Sequence, residues 1–149
     1  MKIRQAELAD LSALVDFNQA MAMETENKHL STEILTSGVK RLLEDSNKGF
    51  YLVAQQQDKQ IAGSLMVTFE WSDWRNSQFW WIQSVYVRPQ NRRTGVYAAL
   101  YEEVKNLAAQ KGGVCGFRLY VEKDNLVAQS TYEKLGMHSS HYYMYETDK

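Results

Sequence analysis

The 149-residue sequence holds one cysteine and one proline, and it carries no excess of either charge. Each scarcity excludes something. With Cys115 alone, neither an intramolecular disulfide nor a cysteine metal cluster can form, and a reducing cytoplasm is the simplest compartment. With Pro89 alone, and no Gly/Ser tract, repeat or charge block, nothing marks a linker, so residues 1–149 read as a single domain. No apolar run approaches the roughly 20 residues that span a bilayer, and Met1 to Gln5 lack the apolar stretch of a signal peptide. A soluble, cytoplasmic protein with no membrane partner is therefore expected. Seventeen Lys plus Arg against eighteen Asp plus Glu leave a formal charge of -1, so there is no electrostatic footprint for nucleic acid. The three histidines and Cys115 show no ligand spacing, so no metal is expected.

What is present is patterned. A first strand is expected near Lys2 to Ala6, and Leu11, Leu14, Val15 and Met21 recur at helical spacing, which predicts a helix over residues 8–22. Ser31 is a good N-cap for a second helix carrying Leu35, Val39, Leu42 and Leu43, ending before Gly49. Residues 50–54 and 61–67 flank a polar turn and predict a hairpin, and Phe79 to Val87 is a third strand stopped by Pro89. Thr94 to about Gln110 reads as a helix ended by Gly112-Gly113, with Phe117 to Val121 as the strand after it. Asn125 opens a short helix closed by Gly136, and His141 to Tyr145 makes a last aromatic strand. The order implies an α/β domain with a mixed, mostly antiparallel sheet flanked by helices.

The stretch from Val85 to Leu100 is a strand feeding a basic, glycine-containing turn and then a helix. Amides in the first turn of a helix have no helical acceptor, the helix dipole adds positive potential, and Gly95 lets main chain approach a ligand. Arg92 and Arg93 supply countercharge, so this turn can hold phosphate; the plain alternative is two solvated arginines on ordinary architecture.

The same residues resemble the acetyl-CoA signature of the GNAT superfamily. Arg92-Arg93-Thr94-Gly95 matches its Arg/Gln-x-x-Gly half, with Val85, Val87, Pro89, Ala99 and Leu100 in place, while Tyr97 stands where a second small residue is usual. Asn125 to Met137 resembles the family's second signature, Asn-x-x-Ala-x-x-x-Tyr-Glu-Lys-x-Gly-Phe/Met. The element order is also similar, so the likeness covers essentially the whole chain.

The resemblance implies an acetyl-CoA-dependent N-acetyltransferase. Val85, Tyr86, Val87, Arg92, Arg93, Thr94, Gly95, Val96, Tyr97 and Asn125 would bind the cofactor, and backbone donors on the Gln83 to Val87 strand would polarise the thioester carbonyl. Such donors are worth roughly 3 kcal/mol each where negative charge develops. Tyr132 matches the general acid that protonates the departing thiolate, a transfer uphill by roughly 2 kcal/mol on ordinary pKa values; read only as a residue, it is a core aromatic. Asn125 is equally an N-cap.

A lysine-like amine must first lose a proton, costing about 4.6 kcal/mol at neutral pH. Gln83 stands where some family members have a glutamate base and cannot take that proton. Glu24 and Glu26, expected in the loop between the first two helices, are candidates for base and for attracting a cationic amine, or are simply solvated. Glu70, Trp71 and Gln83 are further acceptor-site candidates. Four tryptophans lie between positions 71 and 81; Trp81 reads as core, and Trp71 and Trp74 as a pocket or interface. An exposed sheet edge and this aromatic surface are compatible with a homodimer. The leading expectation is acetyl transfer to a primary amine of a small molecule, ahead of a protein amine or a non-catalytic acyl-CoA-binding regulatory module.

Overall fold

The stretches that read as strands before the final helix form β1 (Lys2–Gln5), β2 (Gly49–Gln55), β3 (Ile61–Ser72), β4 (Ser77–Val87) and β5 (Val114–Arg118). The computed structural model describes all residues from Met1 to Lys149, as two units, Met1–Leu119 and Tyr120–Lys149. In the first unit the five strands make one sheet in chain order, antiparallel at every pairing except β4 with β5, which is parallel. The α/β class with a mostly antiparallel, helix-flanked sheet is what the chain forms.

Helices α1 (Leu11–Glu26) and α2 (Thr32–Glu44) cover one face. Their Leu14, Val15, Phe17, Val39 and Leu42 pack on Tyr51, Val53, Ile61 and Tyr86. Helix α3 (Val96–Lys111) covers the other, where Leu100 and Val104 are fully buried and Leu107 lines a cavity with Phe50, Phe69 and Trp80. Burying each such aliphatic side chain contributes about 1.5–3 kcal/mol. The layers are tied at the chain's start: Arg4 on β1 donates to both carboxylate oxygens of Asp10 at 2.8 and 3.0 Å, and Asp10 also accepts the Glu7 N–H at 2.7 Å. No helix is long and apolar enough to cross a membrane.

Three sequence expectations need correction. A short 3-10 turn at Leu8–Asp10 precedes α1, and the helix runs on to Glu26 because nothing breaks it before Asn27, whose left-handed φ of 51° ends it. Glu24 and Glu26 are therefore in the last turn of α1, not in a loop. The fifth strand begins at Val114 rather than Phe117, because the Gly112-Gly113 turn delivers the chain straight into the sheet, where the Gln78 N–H bonds the Gly113 carbonyl at 2.9 Å. A Cβ at Gly116 would lie 2.9 Å from the Phe79 ring, so a glycine is what lets this strand lie against it.

The third correction is at the C-terminus. Residues 141–145 form no strand. The second unit contains one regular element, α4 (Leu126–Lys134), and none of its residues is fully buried. Aromatic composition gives a segment a strand's preference, but a strand exists only against a ladder partner.

Candidate active site

The site begins with two irregularities in β4. Met66 pairs with Gln83 and Ser64 with Tyr86, so Ser84 and Val85 together oppose Leu65: a β-bulge, with Ser84 in the left-handed region at φ 48°. The bulge is held from below by buried polar groups. Asn18 of α1 donates to the Leu14 carbonyl at 2.9 Å and to the Tyr51 hydroxyl at 3.4 Å. Burial pushes the Tyr51 hydroxyl pKa up, while bonds to Asn18 and Ser84 pull it back. The second irregularity is that β4 pairs with β5 only from Gln78 to Trp81. From Ile82 to Val87, β4 has no strand neighbour on that side, so its ladder toward β5 ends at Trp81.

At the end of this open edge the chain turns into α3. Gly95 takes φ 86°, and a Cβ built on it would meet no atom within 4 Å. The glycine is thus required by its backbone conformation, and the space beside it stays clear. The first bond of α3 runs from the Ala99 N–H to the Gly95 carbonyl at 3.0 Å, which leaves the first-turn amides without helical acceptors. Val96 is buried under the turn, Thr94 donates to the Asn91 carbonyl, and Arg93 is exposed with φ 62°. Tyr97, the departure from the family pattern, stacks its ring on Tyr101 at 6.1 Å and 3°, along the helix.

Arg92 joins this turn to α1. Its Nε donates to the Val87 carbonyl at 2.9 Å, its Nη2 pairs with Glu24 at 2.8 Å, and its guanidinium lies 5.5 Å from the Tyr86 ring centre. The Tyr86 hydroxyl bonds the other Glu24 oxygen at 3.4 Å; burial, then the Glu24 charge, pushes its pKa up. Arg88 donates to the Ile61 carbonyl at 2.7 Å and lies over Phe17. Of the two glutamates read together in the sequence, Glu24 is drawn to the phosphate turn, while Glu26 faces Lys28 at 4.0 Å on the surface.

The other acceptor-site candidates divide in the same way. Gln83 donates to Thr68 at 2.6 Å. Glu70 accepts from the Trp81 indole at 2.6 Å and from Arg118 at 3.0 and 3.1 Å. Trp71 stands opposite Gln78, five positions along β3 from Met66 and about 17 Å from the Gln83 rung at strand rise. Trp74 is 90% exposed in the turn between β3 and β4. The tryptophans at the hairpin tip and Gln83 thus occupy separate parts of the sheet. In the second unit, Asn125 caps α4 by accepting the Ala128 N–H at 3.1 Å, and Tyr132 is half-buried, which pushes its hydroxyl pKa up. No cluster of His, Cys, Asp or Glu that could hold a metal occurs.

Sequence reading missed Ser84, Asn18 and Arg88. Asn18 carried a signal, a polar residue on the apolar stripe four positions after Leu14. Ser84 carried none, because a bulge is a property of two strands.

An open strand edge leading to a helix start, with a left-handed glycine and an arginine at its lip, suits a ligand with a phosphate head and an extended arm. Residues 13–137 match the model of the Acetyltransferase (GNAT) family, and the chain belongs to that family. It is similar to a solved structure from Clostridium difficile 630 described as a possible acetyltransferase, at 44% identity over 99% of this chain and 97% of that one, with a TM-score of 0.92. It shares its fold with a structure from Clostridium acetobutylicum described as a "predicted acetyltransferase with acetyl-CoA", at 18% identity over 98% and 95% of the chains and a TM-score of 0.79. Another fold relative is the glucosamine-6-phosphate N-acetyltransferase of Arabidopsis thaliana, at 19% identity over 99% and 98%, TM-score 0.75. No curated protein matches the sequence.

Proposed function

We propose that the protein transfers an acetyl group from acetyl-CoA to a primary amine of a small molecule, the amine attacking the thioester carbonyl directly. The observation that carries this reading is the open edge of β4 beyond Trp81, which ends at the left-handed Gly95 and the start of α3. Membership of an acetyltransferase family supports the same reaction. The fold relative described with acetyl-CoA supports the co-substrate, and the one named for glucosamine-6-phosphate favours a small amine over a protein amine.

In this reading the first-turn amides of α3, Arg92 and Arg93 hold the pyrophosphate, and the space beside Gly95 admits it. Backbone donors between Gln83 and Val87 align the pantetheine arm and stabilise charge on the carbonyl oxygen. The Arg92–Glu24 pair is solvent-exposed and so weak, on the order of 0–1 kcal/mol, which lets phosphate draw Arg92 away and turn Glu24 to the incoming ammonium group. Glu24 then takes the amine proton through water. Tyr132 gives its proton to the thiolate, and Asn125 fixes the helix that carries it.

The test is calorimetric titration with acetyl-CoA and CoA, followed by thiol release against a panel of amines. Binding with amine-dependent release is expected. No binding would remove the Arg92–Gly95 turn as the cofactor site, and binding without release on any amine would identify an acyl-CoA-binding regulatory module.

A further inference from the structure

The last turn of α3 does not close on the sheet. Leu100 and Val104 are fully buried, but Leu107 is only half-buried, and Gln110 and Lys111 are exposed. Beneath them lies a cavity of about 420 Å³, within the roughly 300–1,000 Å³ of small-molecule sites and far larger than the voids that ordinary packing leaves. It stands about 24 Å along the helix from Gly95, at the opposite end from the proposed cofactor turn.

The chemistry of its wall narrows what it can hold. Three rings from neighbouring strands meet there: Trp80 packs edge-on against Phe50 at 5.3 Å and tilted against Phe69 at 5.9 Å, and both phenylalanines are only half-buried. Rings left part-uncovered beside a closed core suit a flat apolar body, which they engage in edge or offset contact. Two donors in the same wall lack acceptors. Trp80 is 2% exposed, yet its indole N–H has no hydrogen-bond partner in the protein, where buried indoles ordinarily find one. The Lys111 ammonium lies 5.6 Å from the Phe69 ring centre and forms no ion pair. Every other polar residue lining the cavity is uncharged, so an anion meets attraction there and no opposing carboxylate.

We propose that this cavity is a second small-molecule site, for an aromatic carboxylate whose ring packs on Phe50, Phe69 and Trp80 while its charge faces Lys111. A ligand oxygen is also the kind of acceptor that the Trp80 N–H lacks. The site stands whether or not the Arg92–Gly95 turn binds acetyl-CoA.

Calorimetric titration of the full chain with 2-naphthoate, and with the neutral 2-naphthylmethanol, reads the site without reference to activity. Naphthoate is expected to bind about five-fold more tightly than the alcohol, the upper worth of an exposed ion pair, and Lys111→Gln to remove that difference. Leu107→Trp, which fills the wedge with a larger side chain, should abolish binding of both probes. Lys111→Gln, at an exposed position, carries the test if that variant does not fold. No binding of naphthoate, equal affinities for the two probes, a preference that survives Lys111→Gln, or binding that a folded Leu107→Trp leaves intact would each overturn the proposal. Displacement of naphthoate by CoA would overturn it as well, by placing the anion at the other end of α3.

Discussion

Burial holds the Tyr132 hydroxyl above the ordinary tyrosine value of 10.0, so at neutral pH it is protonated, as the proposed role of acid toward a departing thiolate requires. Tyr132→Phe should therefore lower kcat by about 10²–10⁴-fold, the usual worth of a general acid, and leave acetyl-CoA affinity nearly unchanged. Since only the protonated form acts, any alkaline loss of kcat that belongs to Tyr132 should lie above pH 10 in the wild type and be absent from the variant. A large affinity loss with intact turnover would return the ring to a packing role. At this scale the sequence was informative where chemistry is local: Arg92, Gly95 and Asn125 each act through their own turn or cap. It was silent where chemistry is assembled, since only the folded chain sets Glu24 on Arg92 and separates it from Glu26, two positions away.

Among the elements, the joint between β1 and the first helices is the one most open to titration. Burial alone would raise the Asp10 pKa, but the Arg4 fork and the Glu7 N–H outweigh it and leave it below the ordinary aspartate value. A carboxylate with a depressed folded-state pKa stabilises the fold above its unfolded value, and that contribution is lost as pH falls through the folded one. Asp10→Asn should cost about 1–3 kcal/mol at pH 7, as expected for a charged hydrogen-bonded partner, and the gap to wild type should narrow below about pH 4. Urea unfolding at several pH values checks this; a gap that stays constant would assign the loss to packing. Elements with local punctuation were legible for the same reason. Ser31 caps α2, with its side chain accepting the Ile34 N–H at 3.3 Å, and Gly112 ends α3. The boundaries that slipped, Glu26 and Val114, are set by a left-handed asparagine and by register against β4, neither of which periodicity encodes.

For the whole molecule, folding and association become one equilibrium if the chain works as a homodimer. The thermal midpoint should then rise with protein concentration across a hundred-fold range, by mass action of about 2.7 kcal/mol per hundred-fold in the free partner. A midpoint independent of concentration would mean that each chain melts alone. The sequence showed the aromatic stretch at 141–145 but not that it forms no strand, because a strand needs a ladder partner that local pattern does not name.

The extra residue at Ser84 also changes which layer β4 addresses. Side chains along an unbroken strand alternate, so Trp80 and Tyr86, six positions apart, would point the same way. Instead Trp80 lies with Leu107 of α3 and Tyr86 with the α1 and α2 cluster. The bulge inverts the strand's parity halfway along, so one strand seals the core behind α3 and then presents the floor of the arginine–glutamate cluster to α1. The length of β4 is in this sense a counted quantity: losing one residue at 84 would keep a strand and turn Tyr86 to the wrong layer.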